Sequence, residues 1–196
     1  AVAPRTFRIR DCICRGCWDE AERLLSAIND IDGDREVMYL RVEILLHKDL
    51  TDEAGRVLQQ HYPANDSASE QRLYMHEVII LLLDYDGQQV DCMLRQWGER
   101  LAAQPELKVE NKMLLADMYS CVGLHEQAIA MLEPIVEAAP YDKHAWILMT
   151  DVRARAGQED EAREAAGYAI AIDDSDLRTI MAEYWFKAER YRRLKD

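Results

Sequence analysis

Three cysteines close to the start of the sequence are the residues whose types and spacing could do chemistry. Cys12, Cys14 and Cys17 form the pattern C-x-C-x-x-C. Thiolates at such spacing bind zinc, or form a redox couple when two of them meet in space. A closed zinc site needs a fourth ligand, and no other Cys or His lies near them in the sequence. The incomplete ligand set favours a structural role for the three thiols, and a metal or redox site is the alternative.

The sequence lacks the common motifs of catalytic and nucleotide-binding sites. It has no G-x-G-x-x-G, no Walker A loop, no H-E-x-x-H and no G-x-S-x-G. His76-Glu77 and His125-Glu126 are isolated pairs without candidate partners. We therefore predict a protein without catalytic residues, bound metal or cofactor.

Composition and charge limit the class of partner. The 196 residues carry a net charge of -13, and 49% of them are hydrophobic. Such acidity argues against nucleic acid or an anionic membrane as the main partner, because both require a basic surface. No apolar run approaches the roughly 20 residues that a membrane-spanning helix needs, so direct membrane insertion is not expected.

The charge is distributed unevenly along the chain. Residues 1–16 hold four arginines and one aspartate, and residues 187–196 hold five basic and two acidic residues. An acidic body between basic ends favours basic or amphipathic protein partners. It also permits contact between copies of the chain, in which a basic end meets an acidic body.

The number of cysteines bears on location. Five cysteines cannot all pair within one chain, and their spacing does not resemble the disulfide framework of a small secreted domain. We therefore predict a cytoplasmic protein. A periplasmic or processed form is the alternative, because the sequence does not start with Met.

A repeat of about 34 residues runs along the sequence. Gly123 and Gly157 are 34 residues apart, and so are Ala128 and Ala162. Each Gly–Ala pair lies between two stretches of helical composition, so each unit predicts a helix, a glycine turn and a second helix. The place of the alanine is taken upstream by Val90, Ala54 and Ala21.

This pattern resembles the tetratricopeptide repeat (TPR) family, whose period is about 34 residues. In residues 109–142 the matching positions are Leu115, Ala116, Tyr119, Gly123, Ala128, Leu132 and Pro140. The resemblance implies an all-α fold, namely a right-handed α-solenoid of antiparallel helix pairs. The implied organisation is a single solenoid over residues 1–196, with approximate repeats at 2–34, 35–70, 71–108, 109–142 and 143–176 and a capping helix at 177–194.

In this register the cysteines of the first repeat have structural places. Cys12 falls at an inward packing position, and Gly16 falls in the turn. Cys17 follows the turn, beside Trp18 in the aromatic place. Free cysteine is often buried as a small hydrophobic residue. The resemblance therefore supports the structural interpretation of C-x-C-x-x-C.

The resemblance also implies a concave groove lined by the first helix of each repeat. The implied groove residues are Glu36, Tyr39, Glu43, Met75, Ile79, Glu110, Met113, Asp117, His144, Ile147 and Asp151. Chaperone-binding members of the family use Lys, Asn and Arg in such a groove to clamp a carboxylate. Glu43, Asp117 and Asp151 depart from that pattern, which argues against carboxylate capture. An acidic, partly apolar groove instead favours a basic or amphipathic segment as its ligand.

Three functional hypotheses follow. The first is a non-enzymatic protein–protein interaction scaffold, adaptor or chaperone-like protein that binds a basic or amphipathic partner segment in the acidic groove. The second is a self-assembling scaffold that forms homo-oligomers through repeat stacking or through its basic ends. The third, which the residues favour least, is a metal or redox protein that uses Cys12, Cys14 and Cys17.

Overall fold

The computed structural model describes residues 3–28 and 35–173, and within those ranges it contains ten α-helices and no β-strand. The helices are α1 (Ala3–Cys14), α2 (Trp18–Ser26), α3 (Arg35–His47), α4 (Thr51–Gln60), α5 (Ala68–Leu83), α6 (Gln88–Ala102), α7 (Val109–Cys121), α8 (His125–Ala138), α9 (Lys143–Arg155) and α10 (Glu159–Ile172). The predicted all-α fold is confirmed. The capping helix predicted at 177–194 lies outside the described residues.

The helices follow one another in pairs, and the turn inside a pair depends on one residue with positive φ. Gly123 (φ 81°) and Gly157 (φ 78°) take this place before α8 and α10. Glycine adopts such a left-handed conformation without the Cβ clash that other residues meet. Before α4 the same place is taken by Asp49 (φ 60°), and Asp is among the few other residues that tolerate it. A search for glycine in the sequence therefore misses this turn.

Alanines bring the two helices of a pair together. Ala21, Ala54, Ala128 and Ala162 are all fully buried. Each lies on the second helix of its pair, and in all four cases that helix contacts the first. A methyl side chain permits close approach of two helix backbones, whereas a larger one would hold them apart.

The chain divides into two compact units, with the boundary inside α6 after Met93. Unit 1 holds α1 to α5 and the start of α6. The phenolic Oη of Tyr74 in α5 donates a hydrogen bond to the carbonyl of Leu58 in α4 at 2.7 Å. A core cluster of this unit consists of Ile9, Ala21, Leu25, Ile28, Val37, Leu40 and Ile44.

Unit 2 begins at Leu94 and holds the rest of α6 together with α7 to α10. Within it, α9 contacts α7, α8 and α10. Its core cluster consists of Ala116, Ala128, Leu132, Ile135, Val136, Ala145, Met149, Val152 and Ala165.

Candidate partner-binding surface

On the face shared by α7 and α9 in unit 2, two of the predicted groove residues, Asp117 and Asp151, contact the same arginine, Arg155. Arg155 Nη1 lies 2.9 Å from Asp117 Oδ1, and Arg155 Nη2 lies 2.6 Å from Asp151 Oδ2. The side chains of Asp151 and Arg155 are 8% and 13% exposed, whereas that of Asp117 is 35% exposed. One guanidinium thus holds two carboxylates, and the cluster carries one net negative charge whose most accessible part is Asp117.

Cys121 also belongs to this cluster. Its Sγ lies 3.2 Å from Arg155 Nη1 and 3.9 Å from Asp117 Oδ1. The residue is exposed as a whole, and its sulfur lies against these two side chains. Burial is the main reason why the pKa of the thiol is raised to about 11, and Asp117 adds to the rise while Arg155 opposes it. The thiol therefore stays protonated at neutral pH and is unsuited to nucleophilic chemistry.

The helix pattern places the other predicted residues of unit 2 beside this cluster. Glu110, Met113 and Asp117 share one face of α7, because they are three and four residues apart. Met113 is half-buried against the core cluster of the unit, and Glu110 is exposed. The same face thus offers apolar area next to negative charge.

On α9 the predicted residues follow the same spacing. His144 is exposed, Ile147 is half-buried and Asp151 is buried. The helix begins at Lys143 because Asp142 caps it, with its Oδ1 accepting hydrogen bonds from the backbone N–H groups of His144 and Ala145 at 3.0 and 3.3 Å. This cap fixes where α9 begins, and Asp151 meets Arg155 because the two are four residues apart on that helix.

In unit 1 the predicted residues of α3 form hydrogen bonds with neighbouring helices. Arg10 Nε donates to Glu36 Oε1 at 3.1 Å, which joins α1 to α3. Tyr39 Oη donates to Glu77 Oε2 at 2.7 Å, which joins α3 to α5. Glu77 also pairs with Arg35 Nη1 at 3.2 Å. Glu36 and Tyr39 therefore take part in contacts within the unit.

Glu43 is half-buried, and its burial raises the pKa of its carboxyl. Asp84 adds to this rise, and Arg10 opposes it. Glu43 and Asp84 also add to the effect of burial on Tyr85, whose pKa is raised to about 12. Burial thus makes the negative charge of Glu43 less favourable than that of an exposed carboxylate.

Two predicted groove residues are inaccessible. Met75 and Ile79 in α5 are both fully buried, so they pack inside the protein and do not offer surface to a partner. The reason is that α5 is apolar on almost every side, and its sequence does not distinguish a groove face from a core face. The large apolar residues that α5 does expose are Leu73 and Ile80.

Three arginines, two in unit 1 and one in unit 2, are the structure's main addition to the predicted set. Arg10, Arg35 and Arg155 each pair with an acidic residue of another helix. For Arg155 a signal exists in the sequence, because it follows Asp151 by four residues on one helix face. For Arg35 the partners Glu70 and Glu77 are far away in sequence, and no local pattern indicates them.

Among residues 3–28 and 35–173, no three His, Cys, Asp or Glu side chains converge in a way that could hold a metal ion. In the same ranges no helix combines the length and the apolar character needed to cross a membrane.

The structure of this chain is similar to the crystal structure of YrrB, a TPR protein with an unusual peptide-binding site. The TM-score is 0.53, and the similarity covers 93% of this chain and 92% of YrrB at 14% sequence identity. This chain has a tetratricopeptide-repeat fold. The predicted α-solenoid class is thereby confirmed. No protein-family model and no curated protein sequence matches the chain.

The TPR fold explains why Asp117 and Asp151 meet the same arginine. They are 34 residues apart, which is one repeat period, so they occupy equivalent positions on the first helices of two consecutive repeats. In stacked repeats each unit contacts its neighbours, and equivalent side chains of adjacent first helices come close to each other. Two acidic residues at such positions repel each other, and Arg155 offsets that repulsion.

Proposed function

We propose that this protein is a non-enzymatic interaction scaffold that binds a basic or amphipathic helical segment of a partner on the α7–α9 face of unit 2. The observation that carries the proposal is the cluster of Asp117, Arg155 and Asp151, in which two carboxylates share one cation beside half-buried Met113 and Ile147. The proposed role is that of an adaptor or a chaperone-like protein in the cytoplasm. The fold supports it, because YrrB, which shares that fold, has a peptide-binding site.

The exposure of each residue on the α7–α9 face indicates its proposed role in binding. Asp117 and exposed Glu110 attract and orient a basic side chain of the partner. Buried Asp151 and half-buried Arg155 fix the position of Asp117. Met113 and Ile147 supply apolar area to an amphipathic helix. Charges at the edge of an interface mainly change association rate and selectivity, whereas apolar anchors mainly change dissociation.

The test is a comparison of association rates for two labelled peptides. One is an amphipathic helix of Leu and Lys, and the other has Glu in place of every Lys. We expect the Lys peptide alone to bind, and Glu110→Lys to slow its association and to reduce the salt dependence of the rate. Glu137→Lys is the matched control, because Glu137 is also exposed in unit 2 but lies on α8.

Two results would contradict the proposal. The first is equal slowing by Glu110→Lys and Glu137→Lys, which would mean that net charge and not this face controls binding. The second is tighter binding of the Glu peptide, which would exclude a basic partner.

Self-assembly is a second candidate, and one observation favours it. Leu73 and Ile80 in α5 are 47% and 48% exposed. They are seven residues apart, so they lie on the same helix face, two turns from each other. Two exposed apolar side chains so placed can pack against the same pair on a second copy of the chain.

A further inference from the structure

The turn that ends α1 brings a particular pair of cysteines together. The backbone N–H of Cys17 donates to the carbonyl of Cys12 at 2.8 Å, and that of Gly16 donates to the carbonyl of Ile13 at 3.0 Å. Gly16 has a φ of 70°. These two bonds and the left-handed glycine define a Schellman motif. In this motif the residues in the places of Cys12 and Cys17 are joined by the bond that spans more residues, and their side chains commonly touch.

The equivalent turns show what this pair of places normally holds. The same backbone bond joins Leu45 to Leu50 at 2.9 Å, Tyr119 to Leu124 at 2.7 Å and Arg153 to Gln158 at 2.9 Å. Two of these three pairs are apolar, in keeping with the side-chain contact that accompanies the motif. In the first repeat both places hold cysteine, so the motif that joins two apolar side chains in two of the later turns here joins two thiols.

The C-x-x-C spacing of Cys14 and Cys17 suggests a different pair, but the turn does not join those two. Cys14 is the last residue of α1, and neither bond of the motif connects it to Cys17. Cys12 and Cys17 are the two that a direct backbone bond holds side by side. A disulfide requires Cα atoms within about 4.4–6.8 Å of each other, and a turn of this kind keeps two residues in close proximity.

Both thiols are free, and a cation lies close to them. Cys17 is exposed and Cys12 is half-buried. Arg15 Nη1 lies 3.3 Å from Asp11 Oδ2. The pKa of Arg15 is raised, chiefly by the hydrogen bond to Asp11, and then by the charge of Asp11 and by its proximity to Cys17 and Cys12.

We propose that Cys12 and Cys17 are a reversible dithiol–disulfide pair that exchanges with low-molecular-weight disulfides such as oxidised glutathione. The exposed Cys17 thiolate attacks one sulfur of glutathione disulfide, which forms a mixed disulfide and releases one glutathione thiolate. The Cys12 thiolate then attacks Cys17 Sγ, the mixed disulfide breaks and the second glutathione leaves. Two protein thiols lose two electrons and two protons, and the glutathione disulfide is reduced to two thiols.

The bond would connect two parts of unit 1 that differ in exposure. Cys12 packs against the core cluster of the unit, together with Trp18. Cys17 lines a surface cavity whose walls include Trp18, His47 and Lys48. Oxidation would link the edge of this cavity to the core. The bond would also restrict the segment between Cys12 and Cys17 in the unfolded chain, which raises thermal stability.

The experiment uses the full chain in buffers of reduced and oxidised glutathione, followed by alkylation of the remaining thiols and digestion with trypsin. Cleavage after Arg10 and Arg15 separates Cys12 and Cys14 from Cys17. We expect the peptides 11–15 and 16–23 to be joined, with a loss of two hydrogens, and fragmentation to place the bond on Cys12. The Cys14→Ser variant should keep the bond, and the oxidised wild type should unfold at a higher temperature than the reduced form.

Several results would overturn the proposal. A bond placed on Cys14 would assign the pair to the C-x-x-C spacing instead. Bonds between two chains, or a stable glutathione adduct on Cys17 without ring closure, would show that the turn does not bring the two thiols together. These outcomes are read from the wild-type chain itself, so they do not depend on how well any variant folds. If oxidation raised the unfolding temperature of the Cys17→Ser variant as well, the stabilisation would not be due to the bond between Cys12 and Cys17.

Discussion

Arg155 shows how a single residue decides the character of a surface. It lies between Asp117 and Asp151, and the side chains of Arg155, Asp117 and Asp151 are 13%, 35% and 8% exposed. Two carboxylates so close together are stable as charged groups only when a cation is present. The cluster therefore presents one net negative charge to a partner. The other carboxylate charge is neutralised by Arg155, and that ion pairing supports the packing of α7 against α9.

The first prediction concerns this residue. Arg155→Gln should lower the free energy of unfolding by about 3–5 kcal/mol, because it leaves buried Asp151 without its charged partner. Urea denaturation measures this change. Arg163→Gln is the matched control, since Arg163 pairs with Asp160 at 3.0 Å where the two side chains are 67% and 91% exposed. The control should cost about 0–1 kcal/mol. Similar losses in the two variants would mean that Arg155 contributes no more than a surface cation.

At the scale of helices, the sequence predicted features that recur at a fixed spacing and did not predict contacts between residues far apart in the chain. The alanines at the helix crossings and the glycines of the later turns recur at a fixed period, and the structure places them in equivalent positions. Asp49 carries no such signal, because its left-handed conformation depends on the turn around it. The pairing of Arg35 with Glu77 depends on contact between α3 and α5, which no local pattern encodes.

The burial of Met75 was unpredictable for another reason. In α5 apolar residues lie on all sides of the helix, so the spacing of apolar residues does not distinguish the side that packs in the core from the other sides. In α7 and α9 the acidic residues interrupt the apolar pattern, and Asp117 and Asp151 lie one repeat period apart, so their contact with the same arginine agrees with the repeat.

A second prediction tests the helix crossings. Ala128→Leu should lower the free energy of unfolding by about 1–3 kcal/mol, because three further carbon atoms must fit where α8 meets its neighbours without a gap. Ala130→Leu is the control, since Ala130 lies on the exposed side of the same helix and has the same intrinsic helix propensity change. Chemical denaturation of both variants makes the comparison. Equal effects would mean that Ala128 does not lie at a close crossing.

At the scale of the whole molecule, net charge and apolar surface act in opposite directions. A net charge of -13 keeps copies of the chain apart. The exposed apolar side chains of Leu73 and Ile80 favour their contact. Basic residues at 187–196 offer a second route, in which one chain's end meets another chain's acidic body. The two routes differ in their response to salt, because screening weakens attraction between opposite charges and also weakens the repulsion between like-charged copies.

The last prediction separates these routes by measuring molar mass with light scattering over a range of protein concentrations. If α5 mediates self-association, the mass should rise at least as much in about 1 M salt, where the Debye length is about 3 Å, as in about 0.1 M salt, where it is about 10 Å. Ile80→Glu should return the chain to a monomer. Val109→Glu is the matched control, because Val109 is also 48% exposed but lies at the start of α7 and should leave association unchanged. Dissociation by salt would assign the contact to the basic end instead. A constant monomer mass under all conditions would exclude self-assembly and leave the interaction scaffold as the remaining proposal.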